Sequence, residues 1–179
     1  MNYIIFDLEA TCWKDRNHGG NETIEIGAVK IDADGTAIDE FQTFVKPLRH
    51  PTLSEFCTEL TSIQQSDVDS APLFLEAISS FKIWVGEGKE SYLLCSWGFY
   101  DRKQLKEDSN LSNLGSDWLK YHISVKHQHH KLAATKRPLG MATALEAEGF
   151  SLDGTHHRGI DDARNIGKIF RKYFGQWKY

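Results

Sequence analysis

Residues 3–9 read Tyr-Ile-Ile-Phe-Asp-Leu-Glu, an apolar run that ends in two carboxylates. The apolar residues predict a buried strand over 3–8. Because side chains two positions apart point to the same side of a strand, we expect Asp7 and Glu9 to project together from the end of a sheet. Two adjacent carboxylates are costly to hold there unless positive charge lies nearby. The alternative interpretation is an ordinary solvated strand end.

The rest of the chain predicts a mixed sheet covered by helices. Two further strands are expected over 23–31 and 38–45, joined by the turn sequence Asp-Ala-Asp-Gly at 32–35, and a short strand over 92–96. Helices are expected over 72–85, with Pro72 in the first turn, and over 101–108, 138–148 and 161–174. Antiparallel strands followed by strands that alternate with helices indicate an α/β fold.

Composition indicates one globular domain, residues 1–179. Of the 179 residues 40% are hydrophobic and 26% are charged, which excludes a disordered or fibrous chain. No apolar run approaches the length of a membrane span and no leader-like segment opens the sequence, so we expect no membrane partner. Three cysteines, at 12, 57 and 95, form no C-x-x-C pair. We therefore expect no disulfide framework, and we expect a cytoplasmic location.

Charge is distributed unevenly along the chain. Residues 1–119 carry 10 basic and 20 acidic side chains, whereas residues 120–179 carry 11 and 5, so the net charges are −10 and +6. Between Lys120 and Arg137 there are five basic residues, four histidines and no acid. This stretch predicts contact with a phosphate backbone, and a solvated loop is the alternative. His127, His129 and His130 also raise the hypothesis of a transition-metal tract, although no further ligand has suitable spacing to them.

The predicted last helix carries a carboxylate on its apolar side. Asp162 is one turn before Ile166 and two before Ile169, which places it on the buried stripe. Asp161 is instead expected on the outward face, together with Asn165. No basic residue lies on the stripe to pair with Asp162, so the side chain needs another partner, such as a metal ion. The alternative is an acidic residue that complements the helix dipole.

Two more residues are candidates for the same site. Asp101 begins a predicted helix after the strand over 92–96, where on its own it would be a plausible N-cap. His157 precedes Asp162 by five residues, in a loop that must turn at Gly159. A loop histidine is usually a surface residue, and His156 beside it leaves the choice between the two open.

Convergence of these carboxylates would require counter-charge. Like charges held together repel strongly, and two divalent cations would relieve the repulsion. A ligand set made only of oxygen atoms favours hard ions, so Mg²⁺ or Mn²⁺ is expected rather than Zn²⁺. Two such ions suit the displacement of a phosphoryl group, and a histidine can accept the proton of an attacking water at neutral pH.

Three segments in this order carry a family resemblance. They are Phe-Asp-Leu-Glu-Ala-Thr-Cys at 6–12, Ser-Trp-Gly-x-x-Asp-x-x-x-Leu at 96–105, and His-Arg-Gly-Ile-Asp-Asp-x-x-Asn-Ile at 157–166. The pattern resembles the DEDDh 3′-to-5′ exonucleases, and within them the Eri-1-like branch that trims histone mRNA and small RNAs; ribonuclease T and the proofreading epsilon subunit are wider relatives. Matches at 56–63 and 136–139 extend the resemblance over nearly the whole chain. It implies a ribonuclease H-like fold with a mixed five-stranded sheet whose first three strands are antiparallel.

The resemblance also implies roles for individual residues. Two metal ions would be held by Asp7, Glu9, Asp101 and Asp162, and His157 would be the general base because it has the family's five-residue spacing to the last aspartate. The terminal nucleotide would lie against Ala10, Thr11, Thr61 and Ile63, with Trp97 as a candidate wall of its pocket. Core packing is the alternative for Trp97. Ser62 stands where this branch often has glycine.

The implied activity is metal-dependent 3′-to-5′ hydrolysis of single-stranded RNA to nucleoside 5′-monophosphates. DNA ends are an alternative substrate, and a catalytically silent nucleic-acid-binding module of the same fold is an alternative function. The basic last third of the chain is the expected path of the strand. Since the separate nucleic-acid-binding domain of some relatives is not expected here, this domain or a partner would position the substrate. The sequence leaves the oligomeric state open.

Overall fold

A five-stranded sheet forms the centre of the computed structural model, which describes residues 1–15 and 18–179. Its strands are β1 (Asn2–Ala10), β2 (Thr23–Ile31), β3 (Ala37–Phe44), β4 (Tyr92–Ser96) and β5 (His122–Ser124). Their order in space is β3-β2-β1-β4-β5. The pairs β1–β2 and β2–β3 are antiparallel, whereas β1–β4 and β4–β5 are parallel. The predicted mixed sheet with three antiparallel opening strands is confirmed.

Helices cover both faces of this sheet. In the described ranges they are α1 (Glu55–Thr61), α2 (Gln65–Asp69), α3 (Phe74–Val85), α4 (Tyr100–Leu111), α5 (Val125–Leu132), α6 (Met141–Ala147) and α7 (Gly159–Lys172). The four predicted helices correspond to α3, α4, α6 and α7. The sequence patterns missed α1, α2, α5 and the three-residue strand β5. None of these helices has the length and apolar content that crossing a membrane would require.

The predicted starts of α3 and α6 were wrong. Pro72 was expected inside the first turn of α3, but its carbonyl accepts the Lys46 N–H, and Leu73 forms a bridge to the same residue before the helix begins at Phe74. The helix predicted from residue 138 begins at Met141, because the backbone of the preceding Gly140 is extended, with ψ of 158°. Backbone contacts with Lys46 thus make α3 begin later than predicted, and the extended conformation of Gly140 does the same for α6.

Two apolar layers lie on the two sides of the sheet. One layer packs α5, α6 and α7 against the sheet, with Ile5, Cys95, Ile166 and Phe170 among its buried residues. The other packs α3 and α4 against the opposite face. Because β1, β4 and β5 are parallel, their carboxyl ends lie at the same edge of the sheet. That edge carries Asp7, Glu9 and the segments that follow β4 and β5.

A glycine on β2 allows α7 to begin directly on the sheet. A Cβ atom added at Gly27 would overlap with the backbone of Gly159 and Ile160. The space at Gly159 is also tight, since a Cβ there would lie 3.0 Å from the Asp7 carbonyl oxygen and 3.2 Å from the Gly27 nitrogen. Only two residues without side chains permit this approach. It places the first turn of α7 beside the end of β1.

Candidate active site

Three carboxylates meet at the carboxyl end of β1. Asp7 and Glu9 point to the same side of the strand, and the first turn of α7 brings Asp162 to them. One oxygen from each of the three carboxylates lies within 4.8 Å of the other two. Glu9 and Asp162 are buried, and Asp7 is partly buried. The structure thus joins residues that are 155 positions apart in the sequence, as their placement on a strand end and a core-facing helix stripe predicted.

The environment of these carboxylates opposes their ionisation. Burial, followed by the charges of Asp162 and Glu25, raises the pKa of Glu9 to about 9. Burial, then the charge of Asp101, raises the pKa of Asp7 well above its ordinary range. Within residues 1–15 and 18–179, no side chain pairs with either carboxylate. Without a bound cation, therefore, this cluster retains protons at neutral pH.

Asp101 lies near the three carboxylates but is not part of the group that meets within 4.8 Å. It is buried in the first turn of α4, and its Oδ1 accepts the backbone N–H of Leu8 at 3.3 Å, between the two carboxylates of β1. Burial raises the pKa of Asp101 to about 6, although hydrogen bonds to backbone and to Ser96 partly oppose this. Asp101 is not the N-cap of α4, which was the alternative interpretation, because Phe99 holds that position. Its carboxylate contacts the strand that carries Asp7 and Glu9.

Both adjacent histidines approach Asp162, in different ways. His156 Nδ1 lies 3.1 Å from both carboxylate oxygens, whereas His157 donates its backbone N–H to Oδ2 at 3.1 Å. The two rings stack with centroids 4.0 Å apart. Burial, then the charge of His156, lowers the pKa of His157, so its imidazole is neutral at pH 7. Sequence spacing singled out His157 but did not reveal the contact of His156 with the same aspartate.

The histidine loop is held in place from α7. Asn165 was expected on the outward face with Asp161, but it is fully buried. Its side-chain amide donates to the carbonyls of Asp153 and Asp161, and its oxygen accepts the Asp153 N–H. His157 itself has a positive φ of 64°, the left-handed conformation that few non-glycine residues adopt. The loop is therefore bound to the helix it precedes, which fixes where the two imidazoles lie.

Glu25 is a site-supporting residue that sequence reasoning missed. It is fully buried on β2, opposite Glu9 in the antiparallel register. Its Oε2 accepts hydrogen bonds from the Gly159 N–H at 3.0 Å and from Arg158 Nε at 3.2 Å. Gln42 donates to the other oxygen at 2.7 Å. Glu25 thereby ties the start of α7 to the sheet; a charged residue at an otherwise apolar position of β2 was the available signal.

The predicted nucleotide-binding residues have mostly buried side chains. Ala10 and Thr11 end β1 beside the cluster, and Thr11 Oγ1 accepts the Glu22 N–H. Thr61 and Ile63 are fully buried, and the Thr61 hydroxyl donates to the Cys57 carbonyl. These four residues can therefore offer a nucleotide their backbone rather than their side chains.

Ser62 and Trp97 have clear structural roles. Ser62 ends α1 with a φ of 61°, a left-handed conformation that explains why glycine is common at this position in the resembling branch. The Trp97 indole donates to the Leu139 carbonyl at 3.2 Å, and its ring packs against the core layer beneath α5, α6 and α7. Packing, the alternative for Trp97, thus accounts for the contacts of its ring.

The histidines of the basic stretch do not form a metal site. His127 Nδ1 contacts Ser124 Oγ, His130 Nδ1 contacts Thr135 Oγ1, and the buried His129 contacts Glu148 Oε1 at 2.7 Å. In the described ranges two groups of side chains could hold a metal ion, Asp7 with Glu9 and Asp162, and His156 with His157 and Asp162, and neither group includes any of the three histidines. The hypothesis of a transition-metal tract is not supported.

The basic stretch is not a solvated loop either, because it contains β5 and α5. Its charges lie in different places. Lys120 precedes β5, at the sheet edge opposite the carboxylates, and its ammonium lies 5.3 Å from the Tyr121 ring centroid. Lys131 lies near the end of α5, beside Lys178. The start of α5, with Lys126, follows the end of β5 at the edge that carries the carboxylates.

The fold and this site define a class of protein. The family model described as Exonuclease (RNase_T) matches residues 4–170. The chain belongs to this exonuclease family. The nuclease domain of 3′hExo, a DEDDh family member solved bound to rAMP, superposes with a TM-score of 0.91 at 29% identity, over 98% of this chain and 92% of that one.

Curated relatives place the chain near the Eri-1-like branch. It is 32% identical over 196 residues to ERI1 exoribonuclease 2 of Xenopus laevis, covering 93% of this chain and 27% of the relative. It is 34% identical over 198 residues to ERI1 exoribonuclease 2 of Danio rerio, covering 94% and 34% respectively. The chain thus spans about a third or less of the length of these relatives. The resemblance to an Eri-1-like DEDDh exonuclease and to its fold is confirmed.

The DEDDh exonuclease fold implies divalent metal ions, and the residues present fit them. The donor set at the end of β1 consists of carboxylate oxygens, which hard divalent cations prefer. The raised pKa values of Glu9 and Asp7 indicate a site built for positive charge that the described side chains do not supply. Metal ligands are therefore available without rearrangement of the sheet or of α7.

Proposed function

We propose that this chain is a single exonuclease domain that removes nucleotides from the 3′ end of single-stranded RNA and releases nucleoside 5′-monophosphates. The main support for this proposal is that Asp7, Glu9 and Asp162 meet in one acidic cluster beside two histidines. RNA is the proposed substrate because the curated relatives are exoribonucleases and the similar nuclease domain was solved with rAMP. Three free cysteines agree with a proposed cytoplasmic location.

Asp7, Glu9, Asp101 and Asp162 are the proposed ligands of two divalent ions, Mg²⁺ or Mn²⁺. Such ions, when bound, polarise the phosphoryl group and lower the pKa of a coordinated water. The carboxylates of β1 and α7 lie within 4.8 Å of one another, close enough to share bound cations, whose charge would offset the repulsion between these carboxylates and the scissile phosphodiester. Asp101 supports this arrangement through the Leu8 backbone.

His157 is the proposed general base. Its lowered pKa keeps a ring nitrogen unprotonated at neutral pH, where it can accept a proton from the attacking water. As the water oxygen bonds to phosphorus, the bond from phosphorus to the 3′ oxygen of the preceding nucleotide breaks, and that oxygen takes up a proton. His156, which contacts Asp162 from the side, is proposed to hold the aspartate rather than to move this proton.

The reaction can be tested with matched oligonucleotides. RNA and DNA strands of equal sequence, labelled at the 5′ end, are incubated with Mg²⁺ or Mn²⁺ and separated on a sequencing gel. We expect a ladder that shortens from the 3′ end, faster for RNA, together with nucleoside 5′-monophosphates. A single internal cut would contradict exonuclease action, and binding without cleavage would favour the silent-module alternative. An Asp162→Asn preparation, purified in parallel, controls for contaminating nucleases.

The two histidines make a second prediction. His157→Asn, in which asparagine tolerates the positive φ, is expected to lower kcat by roughly 10²-fold or more, because general-base catalysis is lost. His156→Asn should lower it less than about tenfold, since only a contact to Asp162 is removed. Single-turnover rates with saturating metal measure both effects. If His156→Asn proved the slower variant, His156 would be the base.

A further inference from the structure

An aromatic pair lies in the open at the edge of the proposed active site. Phe99 is 55% exposed. Its ring stacks on that of His127, with centroids 4.9 Å apart and an interplanar angle of 26°. Phe99 immediately precedes α4, two residues before Asp101. Phe99 is thus part of the segment that supplies a proposed metal ligand, and His127 comes to it from α5.

Hydrogen bonds fix this pair in position. The Trp97 carbonyl accepts the Lys126 N–H at 2.8 Å and the Ser124 hydroxyl at 3.1 Å, which joins the loop after β4 to the start of α5. The same hydroxyl contacts His127 Nδ1 at 2.7 Å, so the imidazole is held as well. A ring that is already ordered loses little conformational freedom when a planar group stacks on it.

The pair lies at the same edge of the sheet as the acidic cluster. Phe99 follows β4 and His127 follows β5, and both strands end at the same edge as β1. With neighbouring strands about 4.8 Å apart, β5 lies about 10 Å from β1, a distance within reach of the next nucleotides of a bound strand. Helix α5 (Val-Lys-His-Gln-His-His-Lys-Leu) contains no acidic residue that would repel a phosphate.

We propose that the Phe99–His127 pair is a stacking platform for a base upstream of the scissile phosphodiester, and that Lys126 meets the backbone there. The proposal rests on the proposed exonuclease function and assigns it a second contact region. Stacking on an aromatic ring recognises any base, so this platform holds single strands without sequence preference. A double helix cannot present an unstacked base to it, which favours single-stranded ends.

The test compares a long substrate with one that has nothing upstream. The octanucleotide of uridine extends beyond the platform, whereas the p-nitrophenyl ester of thymidine 5′-monophosphate occupies only the proposed cleavage site. For Phe99→Ala we expect the ratio of kcat/KM for the octamer to that for the ester to fall about tenfold, mainly through KM, as loss of one stacking contact predicts. Phe99→Leu should behave like Phe99→Ala, because leucine has no aromatic ring. Phe99→Trp should keep the wild-type ratio, because tryptophan can also stack on a base.

Controls separate this proposal from its alternatives. Leu111→Ala removes another exposed apolar side chain, which is 60% exposed and lies at the carboxyl end of α4. This variant should leave the ratio unchanged. If Phe99→Ala also left the ratio of the two kcat/KM values unchanged, the proposal of a stacking platform would be wrong. A protein partner would then be the better explanation for the exposed Phe99 ring. Equal loss on both substrates would show a merely structural role for Phe99 and would also overturn the proposal. If wild-type protein cleaved neither substrate, the proposed function itself would fail.

Discussion

A Gly27→Ala variant is expected to lose about 3 kcal/mol or more of its free energy of unfolding, and with it nearly all activity. The added methyl group would overlap with backbone atoms of Gly159 and Ile160, which have no rotamer to change. Helix α7 must therefore move away from β2, and Asp162 moves with it, out of reach of Asp7 and Glu9. Urea unfolding and an exonuclease assay on a labelled RNA strand measure the two effects.

A second glycine provides a matched control for this variant. Gly167 lies in the same helix, with a negative φ and open space where the methyl group of an alanine would lie. Gly167→Ala should therefore stabilise the protein by about 0.5–1 kcal/mol through helix propensity and keep its activity. If Gly27→Ala were as stable and as active as Gly167→Ala, the close approach of β2 and α7 would not be what positions Asp162.

Glu9→Gln is expected to stabilise the metal-free protein at alkaline pH while abolishing its activity. In the folded state Glu9 keeps its proton up to a pKa of about 9, against 4.5 for an ordinary glutamate. Between these values the folded state binds more protons than the unfolded state, so wild-type stability falls as pH rises. The glutamine cannot ionise. Between pH 5 and pH 8 we therefore expect the stability advantage of the variant to grow by about 4 kcal/mol.

Denaturation in EDTA at several pH values measures this difference. Addition of Mg²⁺ or Mn²⁺ should then raise the Tm of the wild-type protein far more than that of Glu9→Gln, because a bound cation offsets the carboxylate repulsion. Glu59→Gln, on the exposed surface of α1, controls for the removal of one negative charge. If the stability difference between Glu9→Gln and the wild-type protein did not grow from pH 5 to pH 8, the acidic-cluster interpretation would be contradicted.

The order of the main elements could be predicted because their local patterns are strong. The apolar runs at 23–31 and 92–96 gave β2 and β4 with their observed bounds, and the apolar stripe of Ile166 and Ile169 gave α7. The same stripe placed Asp162 toward the core. For the site, strand periodicity at Asp7 and Glu9 sufficed to group the two carboxylates.

What the sequence could not show depends on distant contacts. Strand β5 has only three residues and forms because it pairs with β4. It lies in a basic stretch whose sequence has no pattern typical of a strand, so it could not be predicted. Asn165 looked like a surface residue, but its amide bonds the loop at Asp153. Glu25 was missed for the same reason, since its partners come from the start of α7, more than 130 positions away. Each of these roles arises from tertiary structure, and only Glu25, a charged residue in a buried strand, carried a signal in the sequence.

The order of the site residues along the chain has a consequence for biosynthesis. A polypeptide emerging from the ribosome exposes Asp7 and Glu9 first, then Asp101, and only much later Asp162. The pairing that closes the acidic cluster must wait until α7 can fold back onto β1 and β2. Until α7 has been synthesised and has emerged from the ribosome, the growing chain therefore lacks a complete cluster, although it is already close to the messenger RNA that encodes it.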